Sequence, residues 1–246
     1  MRILAIDSSG LVATVAVVEE ENGISRTVAE YTINYKKTHS QTLLPMLDEI
    51  VEMTEMDLET VDAIAVSGGP GSFTGLRIGS ATAKGLGLAL KKPLIHIPTV
   101  DGLAYNLCYT DKLVCPIMDA RRNQVYTGIY EFEGERLKVL EPQMAVGIEE
   151  LAEKLKGYDR EVIFLGDGVP VHKEKLTESL MAGRRIYFAP AHMNLQRAAA
   201  VGTLAIRYYQ EGRVEAAADH KPDYLRLSQA ERERAEREKA EAARPE

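Results

Sequence analysis

The 246-residue sequence contains no tryptophan, four phenylalanines and only two cysteines. Two cysteines, Cys108 and Cys115, are too few for the disulfide framework of a small secreted protein, so we expect a reducing, cytoplasmic environment. No apolar run approaches the length that spans a bilayer, and no secretory leader opens the chain, so we expect no membrane contact. The net charge of −7 disfavours a protein that binds nucleic acid by itself, because phosphate contacts need clustered lysines and arginines.

The sequence does contain an internal repeat. Three strands followed by helix, strand, helix and strand occur twice, and the first strand of each half ends in an aspartate, Asp7 or Asp119. This order predicts an α/β fold with two mixed sheets covered by helices, and ligands in such folds bind between the halves. We expect lobes over residues 1–105 and 106–228, with the last helix free to pack back on the first lobe. Residues 229–246 form a charged tail that we expect to be frayed or disordered.

A glycine-rich stretch, SGGPGSFTGLRIG, occupies residues 67–79. It matches neither the P-loop pattern nor the dinucleotide-binding fingerprint. Any helix N-terminus can still hold an anion, so phosphate binding stays open at this point. Proteins also place glycine where another backbone must approach closely.

The helix predicted after this stretch has small residues at every fourth position, and it carries few charges. Such a stripe packs either on the chain's own sheet or against a partner chain. The preceding helix, from Ser40 to Met53, has an apolar arc wider than one sheet needs. We therefore favour a partner interface on these two helices. Its predicted residues are Leu44, Met46, Val51, Met53, Gly75, Arg77, Gly79, Ala83 and Gly87.

Five motifs, ILAIDSS, THSQTLLP, GGPGSFTGLRIG, MDARRNQVY and PDYLR, occur in an order and spacing that closely resemble the bacterial YeaZ/TsaB family. The resemblance runs from Met1 to about Leu227. It implies an actin-like (ASKHA) fold of two RNase-H-like lobes. It also implies a non-catalytic dimerisation subunit of the complex that transfers threonylcarbamoyl to the adenosine beside the anticodon of ANN-decoding tRNAs. The implied partners are a second copy of the chain, the related catalytic subunit (TsaD) and a P-loop ATPase (TsaE), with tRNA bound only through the complex.

The catalytic partner's family binds metal through two histidines four residues apart on the first long helix. Here His39 is followed by Leu43, so the pair is broken, and the other histidines show no ligand spacing. We predict no metal site, and we predict Ser40 as the N-cap of this helix. No cofactor is expected to be required, although weak binding of ATP or ADP in a degenerate cleft stays possible. The predicted cleft residues are Asp7, Ser8, Ser9, Gly71, Ser72, Asp119, Gly166 and Gly168.

Two other functions stay open at this stage. The first is an active actin-like ATPase or sugar kinase that uses Asp7 for metal and the Gly68–Gly75 loop for phosphate. The second is a peptidase, for which no Ser-His-Asp arrangement can be identified in the sequence.

Overall fold

We describe residues 1–35 and 37–226 of a computed structural model. The predicted charged tail, residues 229–246, lies outside the described residues. Among the helices of the described ranges, none is long and apolar enough to cross a membrane.

The first lobe is a five-stranded sheet with strand order β3-β2-β1-β4-β5. Strands β1, β2 and β3 form an antiparallel meander, and β4 and β5 continue the sheet parallel to β1. Its elements are β1 (Arg2–Asp7), β2 (Ala13–Glu21), β3 (Ile24–Ile33), α1 (His39–Met53), β4 (Ala63–Gly69), α2 (Phe73–Leu90) and β5 (Leu94–Pro98).

The second lobe repeats this arrangement with strand order β10-β9-β6-β7-β8, so the predicted duplication and its two mixed sheets are confirmed. A single turn of π-helix follows α5 at Leu176–Leu180. The elements of the second half, including the helices that join the lobes, are α3 (Thr99–Ala104), β6 (Leu113–Asp119), β7 (Gln124–Glu133), β8 (Arg136–Gly147), α4 (Ile148–Lys156), β9 (Val162–Leu165), α5 (Val169–Lys175), β10 (Ile186–Phe188) and α6 (Ala198–Gln210).

The central strand β1 is apolar from Ile3 to Ile6 because both of its faces are covered. Successive side chains of a strand point to opposite faces of the sheet. Leu4 and Ile6 accordingly pack in a core shared with α1 and α2. Ile3 and Ala5 pack in a second core, shared with α6.

The two halves of the chain exchange their last helices. Helix α3 follows the first sheet in sequence, but Val100 and Leu103 pack with Val114 of the second sheet. Helix α6 follows the second sheet, and it packs on the first. Asp101 of α3 lies buried at the junction, where it accepts hydrogen bonds from Tyr130 (2.7 Å) and from Tyr208 (3.2 Å) of α6. Burial raises the pKa of the Asp101 carboxyl.

The chain after α6 returns along the first lobe as an extended C-terminal segment, residues 215–226. Glu215 pairs with Leu94 at the edge of the first sheet. The ammonium group of Lys84 on α2 donates to the carbonyl oxygens of Ala218 (2.8 Å) and His220 (3.0 Å). The backbone N–H of Asp223 donates to the Gly68 carbonyl (2.6 Å). This segment therefore lies against the glycine-rich loop identified in the sequence.

Candidate functional site

The cleft between the lobes contains a cavity of about 710 Å³. Loops that follow β1 and β4 line it from the first lobe, and loops that follow β6 and β9 line it from the second. Tyr224 and Arg226 of the C-terminal segment line it as well, with Tyr224 packed on Phe73 (ring centroids 4.8 Å apart). The Arg226 guanidinium donates to the Ala120 carbonyl of the second lobe. The C-terminal segment thus joins both walls of the cleft, at the place where α/β folds bind ligands.

Asp7 lies beneath this cavity and does not line it. Its Oδ1 accepts hydrogen bonds from the Ser9 backbone N–H (2.8 Å) and hydroxyl (2.6 Å), and its Oδ2 accepts from the Ser67 hydroxyl (2.6 Å). Burial raises the pKa of the Asp7 carboxyl, against the lowering effect of these three hydrogen bonds. Asp7 therefore holds the β1 loop to β4, and both of its carboxylate oxygens are hydrogen-bonded within the chain.

The glycine-rich loop leaves room for the chain's own backbone. A Cβ atom on Gly71 or Gly75 would overlap the carbonyl oxygens of Ser9 or Ser8, respectively. The Ser72 backbone N–H donates a hydrogen bond to the Ser9 carbonyl (2.7 Å), so it is not free to bind a phosphate. Gly69 has a φ of 125°, and a Cβ there would overlap the carbonyl oxygen of Asp223 in the C-terminal segment. The bare backbone of this loop serves internal packing.

The two acidic residues that line the cavity from the second lobe, Asp119 and Asp167, are paired with protein groups. Asp119 accepts from the Arg121 backbone N–H (2.9 Å) and forms an ion pair with the Arg121 guanidinium (3.2 Å). Asp167 accepts from the Asp119 backbone N–H (3.0 Å), and burial raises the pKa of the Asp167 carboxyl. A Cβ atom on Gly166 or Gly168 would collide with the carbonyl oxygen of Ile117, so these glycines also serve internal packing.

Four of the eight residues predicted for a nucleotide cleft line this cavity. Ser9, Gly71, Ser72 and Asp119 line the cavity. The other four predicted residues do not line it. Asp7 accepts hydrogen bonds from Ser9 and Ser67, the Ser8 hydroxyl donates to the Gly75 carbonyl, and Gly166 and Gly168 pack against the Ile117 carbonyl.

The start of α1 lacks the second histidine of a metal-binding pair. Leu43 stands at that position and is buried in the core of the first lobe. The His39 Nε2 atom lies 2.9 Å from the Gly10 carbonyl oxygen, at the wall of the cavity. The N-cap is Thr38, whose backbone N–H donates to Gln41 Oε1 (3.4 Å), so the prediction of Ser40 as the cap is wrong.

Sequence reasoning missed a hydrogen-bonded chain of three side chains behind the glycine-rich loop. The Ser80 hydroxyl lies 3.0 Å from His220 Nε2, and His220 Nδ1 lies 2.7 Å from Glu215 Oε1. This is the order of groups in a hydrolase triad. Ser80 and His220 are buried, however, and neither lines the interlobe cavity, so no substrate reaches the serine. The fold brings His96 close to Glu215 and His220, although no spacing in the sequence relates the two histidines.

The predicted stripe of small residues faces the chain's own sheet. A Cβ atom on Gly79 would lie 2.5 Å from Ser8 Oγ, and one on Gly87 would lie 2.5 Å from Leu94 Cδ1. The interface prediction is therefore wrong for the residues that the first lobe buries, namely Gly75, Gly79, Ala83, Gly87 and Met46, and Val51 is half-buried against the same core. Leu44 (56% exposed), Met53 (71%) and Arg77 remain accessible.

A second set of small residues lies on the outer side of α2. Ala81, Gly85 and Ala89 are exposed and also repeat every fourth position. A Cβ atom on Gly85 would meet nothing within 4 Å, and Leu88 beside it is 59% exposed. The outer surface of α2, defined here as Ala81, Gly85, Leu88 and Ala89, is apolar and open to another chain.

Comparisons with known proteins agree on one family. The family model for "TsaD: tRNA N6-adenosine threonylcarbamoyltransferase" matches residues 26–234. The chain is 35% identical to the tRNA threonylcarbamoyladenosine biosynthesis protein TsaB of Bacillus subtilis, over 94% of this chain and 96% of that protein. It is 29% identical to TsaB of Escherichia coli, over 92% and 95%. The solved structure of YeaZ from Pseudomonas aeruginosa superposes with a TM-score of 0.74 at 25% identity, covering 91% of this chain and 99% of that one.

Proposed function

The chain belongs to the YeaZ/TsaB family, and from that membership we propose that it takes part in the biosynthesis of threonylcarbamoyladenosine in tRNA. Its role in this proposal is that of a non-catalytic scaffold subunit. It binds the related catalytic subunit, which performs the transfer to the adenosine beside the anticodon of ANN-decoding tRNAs. The fold of two similar lobes is the actin-like fold of this family.

The observation that carries the non-catalytic role is that Asp7, at the end of β1, is hydrogen-bonded within the chain and does not line the cleft. Both oxygens of Asp7 accept hydrogen bonds from Ser9 and Ser67. In addition, the glycine-rich loop is packed against Ser8, Ser9 and Asp223. An actin-like ATPase or kinase needs a carboxylate that reaches the bound metal or its waters. No such carboxylate is available at the end of β1, which disfavours the ATPase and kinase alternative.

Metal-assisted transfer would also need ligands on α1. Leu43 occupies the position where the catalytic partner's family has its second histidine, and its burial in the core leaves no donor atom there. The cavity of about 710 Å³ still has room for weakly bound ATP or ADP, which the proposal allows without assigning it a required role.

We place the partner surface on the outer surface of α2, together with Leu44 of α1. Its small side chains allow another helix to approach closely, and the exposed Leu88 and Leu44 supply apolar area for burial. Arg77 lies beside this surface with its guanidinium stacked over Phe73 (4.2 Å from the ring centroid). A second copy of the chain would form an isologous contact through this surface. The related catalytic subunit (TsaD), having the same type of lobe, would use it in a heterodimer.

The remaining partners follow from charge and from the family. A net charge of −7 gives little counterion release on tRNA, so we propose that tRNA binds the assembled complex. A P-loop ATPase subunit (TsaE) joins the same complex, and the assembly operates in the cytoplasm.

The test is reconstitution of tRNA modification from purified subunits with and without this chain. Modification should require the chain, while the chain alone should turn over no ATP and transfer no threonylcarbamoyl group. ATP turnover that disappears in Asp7→Asn, with the fold intact, would favour the kinase alternative.

Two matched surface variants locate the contact. Leu88→Asp should abolish association and lower modification. Val171→Asp, at a residue of α5 that is also 59% exposed, should leave both unchanged. Equal effects of the two variants would contradict the assignment of the partner surface.

A further inference from the structure

Four side chains able to bind a metal ion converge behind the glycine-rich loop. His96 belongs to β5, and the other three, Glu215, His220 and Asp223, belong to the C-terminal segment. His96 fills the space that a Cβ atom on Gly68 would occupy, which places the cluster directly beneath the loop. The cluster is separate from Asp7 and from the interlobe cavity, of whose lining it shares only Asp223.

The donor atoms are close to one another. His96, Glu215 and His220 offer ligand atoms that all lie within 4.8 Å of one another. Asp223 Oδ2 lies 3.4 Å from His96 Nε2. That nitrogen is itself shielded from solvent and has no partner of hydrogen-bond geometry, although a carboxylate stands next to it. A cation bound between His96 Nε2 and the carboxylate would explain why this buried nitrogen has no hydrogen bond.

We propose that this cluster binds a divalent transition-metal ion, with Zn²⁺ the best match to its donors. Two imidazoles and carboxylate oxygens are ligands that Zn²⁺ prefers in tetrahedral sites. Metal–donor bonds of about 2.0–2.2 Å put neighbouring donors about 3.3 Å apart. Separations near the 4.8 Å limit among His96, Glu215 and His220 must therefore shorten, whereas the 2.7 Å between His220 Nδ1 and Glu215 Oε1 must lengthen. The partly exposed side chains of Glu215 (32% exposed) and Asp223 (55% exposed) supply part of this adjustment, and the two imidazole rings supply the rest.

The surroundings of His220 suit a ligand role. Its Nε2 lies 3.0 Å from the Ser80 hydroxyl, which orients the ring so that Nδ1 faces Glu215. Metal-binding histidines commonly have their other nitrogen fixed in this way. The two carboxylates attract a cation, whereas nearby Lys84 opposes it in part, with its ammonium group held by the backbone carbonyls of Ala218 and His220.

The bound ion would tie the C-terminal segment to β5. Residues of that segment continue as Tyr224 and Arg226, which contact both walls of the interlobe cleft. Metal binding would therefore hold in place the part of the chain that closes the cleft. This inference does not depend on the proposed role in tRNA modification.

The test uses Co²⁺ as a spectroscopic probe and Zn²⁺ as its competitor, with the full-length chain freed of metal by a chelator. We expect one equivalent of Co²⁺ to give visible ligand-field absorption, and Zn²⁺ to displace it and raise Tm. His96→Ala should abolish both effects. Ser80→Ala should weaken Co²⁺ binding by about 10–100-fold through loss of ring orientation. His192→Ala, at an exposed histidine elsewhere, is the matched control and should bind as the wild type does.

Two results would overturn the proposal. One is the absence of saturable Co²⁺ or Zn²⁺ binding by the wild-type chain. The other is undiminished binding by His96→Ala, which would place the ion elsewhere. Because His220 is buried and its replacement could unfold the chain, Glu215→Gln serves as the second ligand variant. It should retain the wild-type fold by circular dichroism and lose most of its Co²⁺ affinity, and full retention of affinity counts against the site.

Discussion

Substituting leucine at two glycines of the same helix, Gly79 and Gly85, separates internal packing from partner contact. Both replacements give α2 the same gain in helix propensity, up to about 1 kcal/mol. They differ in surroundings, because a Cβ on Gly79 lies 2.5 Å from Ser8 Oγ, whereas one on Gly85 meets nothing within 4 Å. The pair is therefore matched in helix, residue type and chemistry, and differs only in the side of the helix.

Gly79→Leu should destabilise the monomer. Overpacking costs typically about 1–3 kcal/mol, and displacement of Ser8 loses its 2.8 Å hydrogen bond to the Gly75 carbonyl, worth about 1 kcal/mol. After the gain in propensity is subtracted, the net loss is about 2 kcal/mol, which lowers Tm by roughly 4–8 °C for a chain of this size.

Gly85→Leu should keep or raise the Tm and abolish association, since a leucine there holds a second helix away from the outer surface of α2. Thermal unfolding at a concentration where the chain is monomeric gives the stability. Sedimentation velocity over a micromolar range gives the association of each variant. A Gly79→Leu protein that unfolds like the wild type but no longer associates would refute the inward orientation of the stripe. A Gly85→Leu protein that dimerises normally would refute the partner surface.

Three further predictions concern other parts of the molecule. Burial raises the pKa of the Asp101 carboxyl above its usual 3.8. The stability that protonated Asp101 contributes is therefore fully present below pH 3.8, and it is lost as the pH rises through the pKa of the folded state. The free energy of unfolding of Asp101→Asn, measured in urea, should therefore rise relative to that of the wild type as the pH increases from about 4 to 7. Parallel dependence of the two free energies on pH would contradict this. The isolated chain should bind tRNA more weakly than about 1 µM at physiological salt, as measured by fluorescence anisotropy, and tighter binding that weakens with salt would count against the proposal. Deleting residues 229–246 should leave the Tm and the association unchanged, and a large fall in Tm would show that the tail is structural. Deleting the chain from Pro222 onward should lower the Tm, because Asp223 contacts the glycine-rich loop and Tyr224 packs on Phe73.

The fold could be predicted from the sequence because its signals are local. Apolar runs ending at Asp7 and Asp119, with turn residues between them, identify the first strands of both halves, and the structure ends β1 and β6 at these residues. The orientation of α2 could not be predicted in the same way. Small residues repeat every fourth position both at Gly75 and Gly79 and at Ala81 and Gly85, and periodicity does not reveal which set faces the sheet.

The candidate site was harder to predict because its contacts join distant parts of the chain. Ser80 and His220 are 140 positions apart in sequence, and no spacing rule relates them. The acidic residues were recognisable at strand ends, but the hydrogen bonds that Asp7 accepts from Ser9 and Ser67 depend on the approach of β1 and β4. Sequence identifies which residues are chemically capable, and tertiary packing decides which of them are free to act.

The exchange of α3 and α6 between the lobes gives the chain the architecture of a domain-swapped homodimer whose two copies have been joined end to end. Residues 1–98 alone would leave the face of the first sheet that α6 covers exposed to water, because the helix that buries Ile3 and Ala5 comes from the other half. A cut between the halves would therefore yield two fragments that each expose an apolar sheet face, instead of two folded domains. Because each lobe depends on a helix from the other half, we expect the two lobes to unfold together, and they cannot separate without stripping each sheet of a helix.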